Sequence, residues 1–121
     1  MKVAGLHAVV LKPASYTRLS ALLFAEIVAE AGLPPGVVNI VTGDREALTK
    51  TLVQHEDVDA VWYFGSAEGS YHVEDESTAN MKRTWVGYGL PRDWMDREQG
   101  EGHEFLHEST QVKNIWVPTG E

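Results

Sequence analysis

The chain has 121 residues, of which 43% are hydrophobic, and its eighteen acidic against ten basic residues give a net charge of −8. This length suits one small domain, and the charge disfavours nucleic acid and anionic membrane surfaces as partners. The lack of cysteine excludes disulfides and thiolate catalysis, and no apolar run reaches the ~20 residues that span a bilayer, so we expect a cytoplasmic protein.

The first third of the chain predicts a strand, a helix and a second strand. Residues 7–11 form an apolar run that stops before Pro13, as expected for a strand buried on both faces of a parallel sheet. Apolar residues then recur at helical spacing over 19–31, and Gly32 supplies a left-handed helix end. The β-branched run at 37–41 predicts the second strand.

The same alternation continues through the middle of the chain. Asp44 is a good N-cap for a helix that runs to about residue 54, and residues 60–64 predict a third strand. The pair Gly65-Ser66 then turns the chain into a third helix over 67–79. Strands separated by crossover helices predict an α/β fold with a Rossmann-like parallel sheet and right-handed βαβ units.

The sequence changes character after Asn80. We expect a strand at 82–86, a loop at 88–96, a short polar helix at 99–108 and a last strand at 112–117. We therefore divide the chain into a nucleotide-fold part, residues 1–80, and a C-terminal tail, residues 81–121. Because the tail is too short to bury a core of its own, it should pack on the sheet or on a partner.

The loop at 64–70 is the best candidate for a chemical site. A glycine just after a strand lets a ligand approach the backbone, and the free amides that begin the next helix can bind a pyrophosphate. Ser66 adds a hydroxyl donor. The loop is not the G-x-G-x-x-G fingerprint, and Gly-Ser at this place is also a common turn and helix cap. From the residues alone, both interpretations stay open.

Two segments resemble the aldehyde dehydrogenase superfamily. The sequence YFGSAE at 63–68 is similar to the family's Phe-Thr-Gly-Ser-Thr-Glu turn, which lies under the dinucleotide phosphates. The sequence KPAS at 12–15 is similar to the family's Lys-Pro-Ser/Ala-Glu segment, which holds the adenosine ribose. The resemblance implies a cofactor-binding fold and NAD or NADP as the cofactor.

The resemblance also implies particular cofactor-binding residues. Lys12 matches the ribose-binding lysine, whereas Ser15 stands where glutamate is usual, which weakens a ribose contact and leaves the choice between NAD and NADP open. Gly43 falls at the family's glycine beside the adenine, and Gly65 and Ser66 fall under the phosphates. In isolation, Lys12 also reads as a solvated lysine at a strand end and Gly43 as a turn.

The catalytic groups of the family have no counterpart here. The family continues with a Leu-Glu-Leu-Gly-Gly segment that carries the general base and then a domain with the catalytic cysteine, whereas this chain reads NMKRTWV at 80–86. That segment and the ending QVKNIWVP at 111–118 are similar to the C-terminal module of the tandem, sixteenth-subfamily members, which lacks the nucleophile. We therefore expect part of a longer oxidoreductase, inactive alone, that forms a homo-oligomer or contacts a catalytic aldehyde dehydrogenase domain.

Two alternatives to a working cofactor module remain. One is a degenerate structural or oligomerisation module without nucleotide binding. The other is a zinc hydrolase, because His103, Glu104 and His107 match H-E-x-x-H, which on a helix places two imidazoles one turn apart with a general base. Without a metal, the same segment is simply a solvated polar helix.

Overall fold

The computed structural model describes residues 8–111 and 114–117. Strands and helices alternate as the sequence predicts. In chain order they are β1 (Val9–Leu11), α1 (Arg18–Glu30), β2 (Val38–Ile40), α2 (Arg45–Gln54), β3 (Ala60–Tyr63), α3 (Ala67–Glu76), a 3-10 helix (Ser77–Asn80), β4 (Arg83–Val86), α4 (Arg97–Glu101) and α5 (His103–Ser109).

The strands pair in parallel. In one pair, β1 lies beside β2 with Val9 opposite Val38, and in the other β3 lies beside β4 with Trp62 opposite Trp85. This arrangement confirms the predicted α/β class with parallel strands. The chain divides into two compact units, residues 1–55 and 56–121, and each is described by itself. The boundary that we place after Asn80 stays a prediction.

Local signals account for the helix ends. The Asp44 carboxylate accepts a hydrogen bond from the Ala47 amide at 2.9 Å, so it caps α2 as predicted. Gly32 follows α1 with a φ of +67°, a left-handed conformation that glycine adopts without steric strain. Thr17 precedes α1, but its hydroxyl donates to the Ala14 carbonyl and makes no cap.

The prediction that the first strand is buried on both faces is wrong. Val9, Val10 and Leu11 are 37% to 44% exposed, and helix α1 has no buried residue. Two short strands and two helices present too little surface to cover both faces of this sheet. The apolar face of α1 is exposed as well, and its members are Leu19, Leu22, Leu23 and Ile27.

Aromatic side chains cover one face of the β3–β4 pair. Trp62 and Trp85 meet edge to face with ring centroids 4.9 Å apart, and Trp94 and Phe105 from the following segment join them. Phe64 lies 4.9 Å from Trp85. Trp62 and Phe64 each stay 40% exposed, so this face is only partly covered. We call these five rings the aromatic cluster.

The C-terminal part differs from the sequence expectation in two places. The predicted helix at 99–108 is two helices, α4 and α5, because the chain breaks at Gly102. The predicted last strand is wrong over residues 114–117, which pair with no described strand, and residues 112 and 113 lie outside the described residues. Within the described ranges, no helix has the length and apolar character needed to cross a membrane.

Candidate functional site

The turn between β3 and α3 carries the first candidate site. Ser66 caps α3, because its hydroxyl accepts a hydrogen bond from the Gly69 amide at 3.2 Å and its carbonyl accepts one from the Ser70 amide at 3.0 Å. The amides of Ala67 and Glu68 have no acceptor in the part of the chain that the structure describes. The exposed start of a ten-residue helix therefore offers free N–H groups and the positive end of its dipole.

Packing against Tyr63 explains why positions 65 and 69 are glycine. A Cβ atom added at Gly65 would lie 2.5 Å from the Tyr63 ring, and one added at Gly69 would lie 2.6 Å from Tyr63 Cζ. The Tyr63 ring thus packs against the start of α3 on the face opposite Trp62, as the alternation along a strand requires. Glycine at position 65 is needed for this packing whether or not a ligand binds.

A second turn, residues 87–90, lies along the start of α3. The Gly87 amide donates to the Tyr63 carbonyl at 2.9 Å, and the Tyr88 amide donates to Ser70 Oγ at 3.0 Å. A Cβ added at Gly89, where φ is +72°, would lie 3.3 Å from the Ala67 amide nitrogen. Sequence reasoning missed this contact, although the Gly-Tyr-Gly sequence at 87–89 marks a tight turn.

Tyr88 is held by an acidic partner on α3. Its hydroxyl donates to Glu74 Oε1 at 2.6 Å, and its ring lies 5.3 Å from that of Tyr71. This hydrogen bond to Glu74 raises the pKa of Tyr88 above the usual value, with smaller contributions from desolvation and from the charge of Glu74. The contact therefore stabilises the fold while the phenol is protonated and is lost as the pH rises through that elevated pKa.

A cleft of about 300 Å³ opens at the carboxyl ends of β3 and β4. One wall is Arg92, whose guanidinium carbon lies 5.0 to 5.6 Å from the centroids of four rings of the aromatic cluster. Arg92 also donates to the Glu104 carboxylate and to the Gln99 carbonyl, each at 2.6 Å. The other lining residues are Phe64, Gly65, Gly87, Gly89, Leu90 and Trp94. Sequence reasoning missed Arg92, since its partners lie on five separate segments between Phe64 and Phe105.

The first unit contains a cleft of about 430 Å³. Ser15, from the loop after β1, and Gly43, from the loop after β2, both line it. The two loops meet because β1 and β2 are parallel neighbours, and ligand sites of open α/β sheets lie at such carboxyl ends. Lys12 follows β1 directly but does not line the cleft. The structure thus brings together two of the three site residues predicted in this unit.

The H-E-x-x-H segment is occupied by structural contacts. It lies on α5, where Glu104 forms an ion pair with Arg92 at 2.6 Å and Phe105 packs in the aromatic cluster. His107 lies 3.1 Å from the neighbouring Glu108 carboxylate. Across residues 8–111 and 114–117, no three His, Cys, Asp or Glu side chains are placed to hold a metal ion. Within the described residues, the predicted zinc site at His103 and His107 therefore has no third ligand.

The parallel strands are joined by helices, and a glycine turn precedes the helix that follows β3. These features define a Rossmann-like α/β protein. The profile of the aldehyde dehydrogenase family matches residues 3–89. The chain belongs to the aldehyde dehydrogenase family.

Individual relatives agree with this assignment. The chain is 40% identical over 88 residues to the NADP/NAD-dependent aldehyde dehydrogenase PuuC of Escherichia coli (strain K12), an alignment that covers 72% of this chain and 18% of that protein. It is 38% identical over 105 residues to aldehyde dehydrogenase 1A1 of Gallus gallus, covering 84% and 21%. The chain therefore spans roughly a fifth of the length of these relatives.

Solved structures show the same partial match. An aldehyde dehydrogenase from Bartonella henselae superposes with a TM-score of 0.62 at 35% identity, over 65% of this chain and 17% of that one. A mutant of aldehyde dehydrogenase C from Pseudomonas syringae, solved with NAD+ and octanal, superposes with a TM-score of 0.62 at 39% identity, over 65% and 16%. Both likenesses are confined to one part of a much longer enzyme.

Proposed function

We propose that this chain is the NAD(P)-binding module of an oxidoreductase that acts on aldehydes. The observation that carries the proposal is the start of α3, where the amides of Ala67 and Glu68 are free behind the Ser66 cap. In the proposal this turn binds the dinucleotide phosphates, and Gly65 and Ser66 lie beneath them. Lys12, Ser15 and Gly43, which the family resemblance implies for the adenosine half, belong to the first unit and stay a prediction. A cytoplasmic location remains an expectation from the sequence.

The turn at the start of α3 can bind an anionic ligand through backbone amides, with no basic side chain from the protein. Backbone amides at a helix N-terminus bind phosphate through hydrogen bonds and the helix dipole. Glu68, in the first turn of α3, opposes the ligand charge, so its carboxylate has to point away from the phosphates. Bound NAD(P)+ would supply the hydride acceptor, while this chain contributes binding and orientation.

The catalytic groups are assigned to a different part of the protein. The chain has no cysteine, so it has no thiolate to attack an aldehyde. The segment at 80–86, which stands in place of the family's Leu-Glu-Leu-Gly-Gly, carries no acidic residue, and its Trp85 packs in the aromatic cluster. We therefore infer that this chain by itself binds the cofactor but does not oxidise aldehyde. Oxidation would need a catalytic aldehyde dehydrogenase domain as its partner.

The Ser66→Ala variant tests the phosphate site. We expect the dissociation constant for NAD or NADP to rise about threefold to tenfold, because losing the cap frees the Gly69 amide and disorders the first turn. Isothermal titration of the full chain, after circular dichroism confirms folding, measures the change. Ser20→Ala, an exposed serine on α1, is the matched control and should bind as the parent does. Absence of saturable binding in the folded parent would refute the proposal.

The exposed face of α1 favours a second candidate function, association without nucleotide binding. Leu19, Leu22, Leu23 and Ile27 are 61% to 78% exposed and lie on successive turns of one helix. An apolar surface of this kind marks a protein contact.

We expect Leu22→Ser to lower the association constant of the chain about tenfold to a hundredfold, because each buried leucine contributes roughly 1.5–3 kcal/mol. Sedimentation over a range of concentrations measures the change. Ala29→Ser, on the same helix, is the control with little apolar surface to lose. A parent chain that stays monomeric at every concentration would eliminate association between copies.

A further inference from the structure

The cleft at the carboxyl ends of β3 and β4 has a wall that the family profile does not cover. That profile ends at residue 89, whereas Leu90, Arg92 and Trp94 follow it and line the cleft. All the lining residues belong to the second unit, so the cleft forms within one compact body. Its volume of about 300 Å³ lies at the lower end of the range for small-molecule sites.

Arg92 has N–H donors on this wall that its protein partners leave unused. Its Nε donates to the Gln99 carbonyl and its Nη2 to the Glu104 carboxylate, whereas Nη1 has no acceptor among residues 8–111 and 114–117. The side chain is only 18% exposed. A mostly buried guanidinium with unused donors favours an anionic acceptor, because charge-assisted hydrogen bonds are about twice as strong as neutral ones.

The aromatic wall favours a flat apolar group beside that acceptor. Phe64 and Trp94 meet edge to face with ring centroids 5.1 Å apart, and they are 40% and 51% exposed. Leu90 is 75% exposed at the same cleft. The other lining residues, apart from Arg92, are glycines and add no side chain. A ring bound here would remove apolar surface from water and contact aromatic neighbours.

The charge of the chain limits how an anion can bind. The net charge of −8 repels an anion at long range. Glu104 also repels a second carboxylate beside Arg92, but its side chain is 51% exposed, so water and salt screen it. The ligand therefore has to be held by direct contact with the guanidinium and the rings, and raising the salt concentration should not weaken its binding.

We propose that this cleft binds a small aromatic carboxylate. The carboxylate accepts hydrogen bonds from Arg92 Nη1, and the aromatic ring packs against Phe64, Trp94 and Leu90. This site goes beyond the proposed function, because it needs no dinucleotide and lies within the second unit alone.

Titration of the full chain with benzoate, followed by tryptophan fluorescence, tests the assignment, since Trp94 lines the cleft. We expect saturable binding with a dissociation constant of about 1 mM or lower, as suits a ligand of this size. Benzamide has the same shape without the charge and should bind about tenfold more weakly. Acetate has the charge without the ring and should also bind at least about tenfold more weakly.

Substitutions at Leu90 locate the site without removing Arg92, on which the aromatic cluster depends. Leu90→Glu places a carboxylate at the cleft and should weaken benzoate binding about tenfold, whereas Leu90→Lys should strengthen it about threefold. Met95→Glu is the matched control, because it adds the same charge at a side chain that is 94% exposed and does not line the cleft. It should leave the constant close to that of the parent.

Three results would overturn the aromatic carboxylate site. Benzoate that fails to saturate a parent chain shown to be folded by circular dichroism would refute it outright. Benzamide that binds as tightly as benzoate would show that no anion is recognised. Equal weakening by Leu90→Glu and Met95→Glu would place the bound benzoate outside the cleft. Each result applies whether or not the chain binds a dinucleotide.

Discussion

The Arg92→Ala variant should lose about 2–4 kcal/mol in the free energy of unfolding, because several favourable contacts of one partly buried cation disappear together. The Arg92 side chain is 18% exposed, lies over four aromatic rings and bonds the Glu104 carboxylate and the Gln99 carbonyl. Its removal also leaves Glu104 without its cation. Urea denaturation followed by tryptophan fluorescence measures the loss, since Trp85 and Trp94 flank the guanidinium.

Two further variants test whether the loss of stability comes from the particular contacts of Arg92 or from the loss of any arginine. Arg97→Ala removes an arginine that is 93% exposed and whose ion pair with Glu101 is solvated, so unfolding should change by less than about 0.5 kcal/mol. Arg92→Lys keeps the charge but loses the planar fork, and it should recover only part of the stability. An Arg92→Ala chain as stable as the Arg97→Ala chain would show that the aromatic cluster does not depend on the cation.

The Gly102→Ala variant should lose about 1–3 kcal/mol in the free energy of unfolding, as overpacking against backbone typically costs. A Cβ atom at this position would clash with the Glu98 carbonyl oxygen and lie 2.8 Å from Glu98 Cδ. Because the carbonyl belongs to α4, the junction between α4 and α5 has to open. Phe105 would then move in the aromatic cluster, and near-ultraviolet circular dichroism should record the change.

Glu101→Ala is the control for the junction between α4 and α5. It lies one residue before Gly102 and its side chain is 73% exposed, so its removal should leave both the stability and the aromatic signal close to those of the parent. A Gly102→Ala chain that matches this control in both measurements would mean that the junction widens at no cost, contrary to the packing seen here.

Much of the local structure follows from short-range signals. Asp44 caps α2 through its carboxylate, and Gly32 follows α1 in a left-handed conformation because it has no Cβ atom. The order of strands and helices follows from hydrophobic periodicity, and their parallel pairing follows from the crossover helices. The segments at 12–15 and 63–68 predict the aldehyde dehydrogenase family, which the family profile over residues 3–89 confirms.

The candidate site was less predictable because its contacts join distant segments. Ser15 and Gly43 were identified from a resemblance, but Arg18 and Arg45 enter the same cleft only because the loops after β1 and β2 lie side by side. Arg92 has no local motif, and its ring partners range from Phe64 to Phe105. The assignment of Lys12, Gly65 and Ser66 to cofactor binding stays a prediction.

The sequence by itself determined the order of the elements, the helix caps, the family and the lack of a catalytic thiolate, because each depends on residue identity within a short window or on composition. The tertiary structure decided which faces are covered. Tyr63 packs on Gly65 and Gly69, the turn at 87–90 lies along α3, and the α1 face stays exposed. These features depend on which surfaces meet, and hydrophobic periodicity states only that a face is apolar, not what covers it.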